Sequence, residues 1–201
     1  MEKVSARQYQ VHYTYLSTGI AGVIFKNWAL KALAVRQNVR VGERFHVGPG
    51  STIWAPAGLT LGNDVYVGKH VTIEVDGVIG DQVLIANNVG IVGRRDHDIS
   101  EVGIPIRRAS WVGVNSDLSL PVMIGSDVWI GYGAIVLSGI SIGSSSIIGA
   151  GAVVTHDIPE NCIAIGQPAR VIGPRFSEDA WEKHWVALEA RGITRPLHGG
   201  L

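Results

Sequence analysis

The sequence predicts a mainly β fold in which short strands wind into a three-sided prism of stacked coils. Three observations lead there. Aliphatic residues recur at every sixth position in three phased runs: Val41, Val47, Ile53; then Leu61, Val67, Ile73, Ile79, Ile85, Ile91; then Ile124, Ile130, Val136, Ile142, Ile148, Val154. Glycine follows many of them, at Gly42, Gly48, Gly62, Gly68, Gly80, Gly125, Gly131, Gly143 and Gly149. Charged residues make up only 17% of the chain, below the usual quarter, as a large buried or subunit-covered surface requires. A helix would space its apolar residues three or four apart, and a hairpin sheet would alternate by two. Period six instead gives strand, turn, strand, turn, with the aliphatic residue pointing inward and the glycine expected to relax the backbone at the corner. Three faces close a coil of about eighteen residues, and stacking satisfies the backbone of each strand one coil later.

The elements follow in order. Residues 1–38 form an N-terminal helical segment, with a helix from near Tyr13 to Val35. Its stretch "LSTGIAGVIFKNWALKALAV" is interrupted by Lys26 and Lys31, which favours a packed or interfacial helix over a membrane span. The first residues lack the basic-then-apolar order of a signal peptide. Residues 39–173 form the β-helix domain. The step from Ile53 to Leu61 is eight, so "WAPAGLT" carries a small bulge or an extra turn. The step from Ile91 to Ile124 is thirty-three, so a loop at about 92–121 leaves the prism. Long loops on rigid scaffolds carry function. Residues 174–201 form a C-terminal helix and tail: Ser177 is the expected N-cap, Glu178 and Asp179 suit the first turn, and Gly192 ends the helix. Trp181, Trp185 and Leu188 line one face of it.

Seventeen basic residues balance seventeen acidic ones, which argues against nucleic acid or an acidic membrane as the main partner. The single cysteine, Cys162, excludes an intrachain disulfide and fits a reducing cytosol. The protruding loop holds the residues with chemistry. His97 is the side chain best matched to proton transfer near neutral pH. Asp96, Asp98 or Glu101 is placed to hold its other ring nitrogen. Glu74 and Asp76 interrupt the repeat in "IEVDG" and can bond hydroxyl groups of a ligand, or stand as solvated corner acids. Arg94 and Arg95, with Arg107 and Arg108, can steer a phosphate-bearing or acidic ligand or form a solvated loop face.

The pattern of an aliphatic residue, glycine and four variable positions resembles that of the hexapeptide-repeat acyltransferases. That resemblance alone implies a left-handed parallel β-helix. The segment "VMIGSDVWIGYGAIVLSGISIGSSSIIGAGAVVTHDIPENCIAIGQPARVI" resembles the C-terminal half of the sugar O-acetyltransferases of this class, over about residues 39 to 173 in all. The "HD" of the loop is most similar to the surface-polysaccharide branch. The resemblance implies a homotrimer with active sites between subunits, acetyl-CoA as acyl donor, no required metal, a sugar or glycan acceptor, and a cytoplasmic enzyme with at most peripheral membrane contact. It places Trp129, Gly131 and Tyr132 near the thioester, and Ala150 and Gly151 along the pantetheine arm. Thr155, His156 and Arg170 fall near the nucleotide end. His156 stands where the family often has lysine, and Gln167 where it often has asparagine.

The implied reaction is direct transfer to a hydroxyl, with His97 as general base and a backbone N–H from Gly131 or Tyr132 at the oxyanion. Other readings are N-acetylation of a nucleotide-linked amino sugar and a non-catalytic trimeric scaffold. A γ-class carbonic anhydrase needs three histidines converging on zinc, and the close histidine pair it requires is absent from the sequence.

Overall fold

A computed structural model describes residues 20–195. The chain folds as a left-handed parallel β-helix whose strands form three faces. On the first face stack Val39–Val41, Leu59–Leu61, Gly77–Ile79, Val122–Ile124 and Ser141–Ile142. The second stacks His46–Val47, Tyr66–Val67, Leu84–Ile85, Trp129–Ile130, Ile147–Ile148 and Cys162–Ile165. The third stacks Thr52–Trp54, Thr72–Glu74, Gly90–Val92, Ile135–Leu137 and Val153–Val154. All these pairings are parallel.

Register explains the irregular steps. Thr60 pairs with Val78 and Met123 with Ser141, an advance of eighteen each time. Val39 pairs with Leu59, an advance of twenty, because "WAPAGLT" contributes two extra residues at one corner. Val78 pairs with Met123, forty-five positions on, so the loop leaves after Val92 and returns without disturbing the stack.

The inward side chains make one core. Ile53, Ile73, Ile91, Val136 and Val154 are fully buried down the third face. A second buried series lies two residues earlier in each repeat: Val65, Val71, Val83, Val89, Val128, Ala134, Ile140 and Ala152. This series also has period six, and a reading of one phase alone passes over it.

The corner glycines have a different cause from the one expected. Gly68, Gly125 and Gly131 do not adopt left-handed φ. A Cβ at Gly68 would lie 2.7 Å from Asn87 N, and at Gly131 2.6 Å from Ala150 N. Glycine stands there so that successive coils can approach. The left-handed positions come two residues later: His70, Asn88, Gly133 and Gly151 at one corner, Asp64, Gln82, Asp127 and Ser145 at another.

Helix α1 (Ile20–Ala34) caps the first coil. Its end runs into the third face, where Val35 bridges Ile53 and Arg36 N donates to Ile53 O. The expected residues from Tyr13 up to Ile20 lie outside the described part. Among the described residues no helix is long and apolar enough to cross a membrane. At the other end Arg170–Pro174 folds back antiparallel on Cys162–Ile165. Helix α2 (Glu178–Glu189) follows an extended Ser177 that makes no side-chain cap bond, and Gly192 has φ +79° just beyond it. Trp185 is buried and Trp181 partly so. The Arg195 guanidinium lies 4.2 Å from the Trp181 ring centroid.

Candidate active site

The loop begins at the corner between the third and first faces. Two antiparallel backbone bonds pinch its neck: Asp98 N donates to Ser110 O, and Val112 N donates to Asp96 O. His97 sits between them opposite Trp111. His97 is partly exposed, and its ring makes no hydrogen bond among the described residues. Two of the neighbouring acids are employed elsewhere. Asp98 accepts from the Ser100 hydroxyl at 2.6 Å and from Ser100 N at 2.8 Å. Those bonds, then the charge of Arg95, hold its carboxyl below the ordinary value. Glu101 accepts from Ser110 N at 3.1 Å. Asp96 is exposed, with its carboxylate by Gly93.

Arg94 straps the loop root to the column: its Nη2 donates to Thr155 O at 2.7 Å and its backbone N to Ser138 Oγ at 2.9 Å. A cavity of about 540 Å³ opens at this corner, and Arg94, Arg95, Thr155 and His156 line it together. Thr155 Oγ1 and His156 Nδ1 are 2.8 Å apart. Arg170 lies on the terminal hairpin and donates to Ala169 O.

The other candidate residues lie at the opposite edge of the third face, at its corner with the second. Trp129 is half exposed on the second face, and Tyr132 and Ala150 are exposed at the corner. Backbone donors there are unevenly used. Gly131 N donates to Ile148 O, Gly133 N to Asn87 O, and Gly151 N to Tyr132 O. The N–H groups of Asn87, Tyr132 and Ala150 bond to nothing among the described residues. They fall at equivalent positions of three successive coils. The corner between the first and second faces is sealed instead: Glu43 N donates to Asn63 Oδ1, Asn63 N to Asp81 Oδ1, Asp81 N to Ser126 Oγ, and Ser126 N to Ser144 Oγ. The same scheme at the open corner runs from Lys69 N to Asn87 Oδ1 and then stops, because Tyr132 and Ala150 put no acceptor above the next N–H.

Asn88, which sequence reasoning did not single out, donates from Nδ2 to Tyr132 Oη at 2.6 Å and so fixes the phenol. Only its left-handed turn position hinted at it. Of the two acids in "IEVDG", Asp76 is occupied: its Oδ1 accepts from Ala57 N and Gly58 N and so closes the extra turn. Glu74 is exposed and unbonded among the described residues.

Among the described residues no three His, Cys, Asp or Glu side chains are grouped to hold a metal ion. Cys162 lies on the second face, far along the chain from the loop, and burial followed by the charge of Glu160 pushes its thiol pKa up.

Comparison with known proteins agrees with this architecture. The family profile described as bacterial transferase hexapeptide (six repeats) matches residues 121–156. No curated protein matches the chain. Among solved structures, a galactoside acetyltransferase in complex with coenzyme A is 30% identical, with 81% of this chain and 76% of that one covered and a TM-score of 0.59. AntD, an N-acyltransferase from Bacillus cereus, in complex with dTDP-4-amino-4,6-dideoxyglucose and coenzyme A, shares the fold at 15% identity, with 77% and 87% covered and a TM-score of 0.57. With period, coil register and this likeness in agreement, the chain belongs to the hexapeptide-repeat acyltransferases.

Proposed function

We propose that this protein is a homotrimeric enzyme of the cytoplasm that moves an acetyl group from acetyl-CoA to a hydroxyl of a sugar or surface-polysaccharide precursor. The observation that carries the reading is the open corner. Three unbonded N–H groups stand in a column beside Trp129, whereas at the corner between the first and second faces the N–H groups of Glu43, Asn63, Asp81 and Ser126 are met by side-chain acceptors. Exposed backbone donors in a row suit the amide carbonyls of a pantetheine arm. The likeness to a galactoside acetyltransferase with bound coenzyme A supports the same donor.

The chemistry follows from placement. The His97 ring, free of internal bonds, takes the proton of the acceptor hydroxyl as its oxygen attacks the thioester carbonyl. The carbonyl becomes an oxyanion, which the unbonded Tyr132 N–H receives. Gly131 N–H is already committed to Ile148 O, so it is not the donor. Collapse expels the CoA thiolate, and the imidazolium returns the proton to it. Asp98 serves the loop through Ser100, while Asp96, exposed at the neck, is the acid best placed to orient the imidazolium. Because the loop and the open corner lie on opposite edges of one face, the active site is composed between two chains, with the loop of one over the corner of its neighbour. Thr155, His156, Arg94 and Arg95 then bind the nucleotide end through their shared cavity, with guanidinium groups suited to phosphate, while Arg170, on the terminal hairpin, is not part of that cavity's lining. Glu74 is the acceptor-binding acid. Gly151 keeps the corner low enough for the donor to approach.

His97→Ala tests this. Turnover should fall by about two to four orders of magnitude, while acetyl-CoA still raises the melting temperature by mass action and the trimer mass is unchanged. Turnover equal to wild type removes His97 from the mechanism. Absence of any acetyl-CoA shift in the wild type removes the donor and leaves the scaffold reading. Mild alkali on the product separates the acceptor classes, because an O-acetyl ester is cleaved and an N-acetyl amide is not.

A further inference from the structure

We infer that the upper third face is a carbohydrate subsite in which Trp54 stacks against a neutral pyranose ring of the acceptor, beyond the sugar that receives the acetyl group. The inference rests on the sugar-acetylation reading and extends it to the acceptor's length: an oligosaccharide or glycan chain rather than a monosaccharide.

A second cavity, of about 530 Å³, is separate from the one at the loop root. Arg36, Gln37, Thr52, Trp54 and Glu74 line it. Trp54 is partly buried and lines the cavity. The side chains of Arg36, Gln37, Thr52, Trp54 and Glu74 make no hydrogen bond among the described residues. Asp76, two residues from Glu74, shows the contrast, since it closes the extra turn. A cavity with one aromatic wall and several uncommitted donors and acceptors is suited to a hydroxyl-rich ring. The negative face of the indole attracts the positively polarised C–H groups on one side of a pyranose, and Arg36 and Glu74 offer a fork and an acceptor for its hydroxyls. The opposite charges of Arg36 and Glu74 leave the lining with no net charge to hold a diphosphate, which favours a neutral sugar over a nucleotide.

Register connects the subsite to the reacting centre. Trp54 pairs with Glu74, and Glu74 with Val92, the last strand residue before the loop. Two coil spacings put Trp54 roughly 10 Å up the face from the loop root, more than one pyranose ring away.

The experiment measures acetyl transfer from acetyl-CoA to ladders of mono- to hexasaccharides built from glucose, galactose and N-acetylglucosamine, alongside binding of the same saccharides by titration calorimetry. In the wild type, KM should fall with length in at least one ladder. Trp54→Ala should erase that gain, raising oligosaccharide KM by about tenfold with the monosaccharide and acetyl-CoA KM values and kcat unchanged. Trp54→Phe should recover most of it, and Glu74→Gln, at an exposed site with little bearing on folding, should weaken the same oligosaccharides. Transfer that is independent of acceptor length, or equal losses for mono- and oligosaccharides in Trp54→Ala, overturns the subsite and leaves sugar acetylation standing. Binding of UDP or dTDP alone that is lost in Trp54→Ala also overturns it, by making Trp54 a base platform. Absence of transfer to every saccharide, with acetyl-CoA binding intact, overturns the sugar reading itself.

Discussion

A Cβ on Gly68 would sit 2.7 Å from the backbone N of Asn87, in the coil below. Backbone cannot yield as a flexible side chain can, so Gly68→Ala should cost about 1–3 kcal/mol by overpacking, read as a lower melting temperature with unchanged far-UV signal. Cys162 bears on chemistry: burial, then Glu160, raises its thiol pKa. It therefore stays protonated at neutral pH, alkylates slowly in the native protein, and reacts faster only as pH rises. Cys162→Ala should leave turnover as in wild type; loss of turnover with an intact fold would bring covalent catalysis back. Asp98 moves the other way. Ser100, then Arg95, lowers its folded pKa below the unfolded one, so its contribution is complete above the ordinary carboxylate range and is lost as pH falls through the folded value. Ser100→Ala should raise the titration point of Asp98, as measured by carboxyl NMR, and loosen the loop neck.

At the scale of elements, α2 is tied to the column through one carboxylate. Asp127 Oδ2 accepts from Arg175 Nη1 at 2.7 Å and Ser145 Oγ at 2.9 Å, and lies 2.8 Å from His184 Nε2. These groups are mostly screened from water, with side-chain exposures of 20–25% for Asp127, Arg175 and His184. Asp127→Ala should destabilise the protein by about 1–3 kcal/mol, because its partners are left unpaired, and should expose α2 to limited proteolysis. The loop is coupled to the stack only at its root, since the ladder is continuous across it. Replacing residues 96–116 by a short Gly-Ser turn should keep the coil signature in circular dichroism and abolish turnover. Collapse of the fold in that variant would make the loop part of the core.

Over the whole molecule, the second face carries an outward line that no part of the described chain covers. Tyr66, Leu84 and Trp129 are in register and 44%, 44% and 50% exposed. A contiguous exposed apolar line of this kind marks an association surface. Leu84→Asp should disperse the proposed trimer in sedimentation and lower turnover with it, because the proposed site is composed between chains. A dispersed protein of full activity would place the site within one chain.

Much of the fold is legible in the sequence. The aliphatic period, the eight-residue step at "WAPAGLT" and the thirty-three-residue step before Ile124 sufficed for column, an irregular corner and loop, because an inward side chain must recur once per face whatever surrounds it. Candidate residues were found by type and family resemblance, but their partners were not. Nothing in "IEVDG" says that Asp76 closes a turn while Glu74 faces a cavity. Nothing in "ANN" says that Asn88 holds Tyr132. By itself, then, the sequence determined a three-sided column with one projecting loop. Only the tertiary structure decided which backbone donors stay unbonded, which acids remain free and why glycine stands at the corners. Those outcomes depend on atoms that the coil register brings together from eighteen to forty-five residues apart, a relation that a local period does not encode.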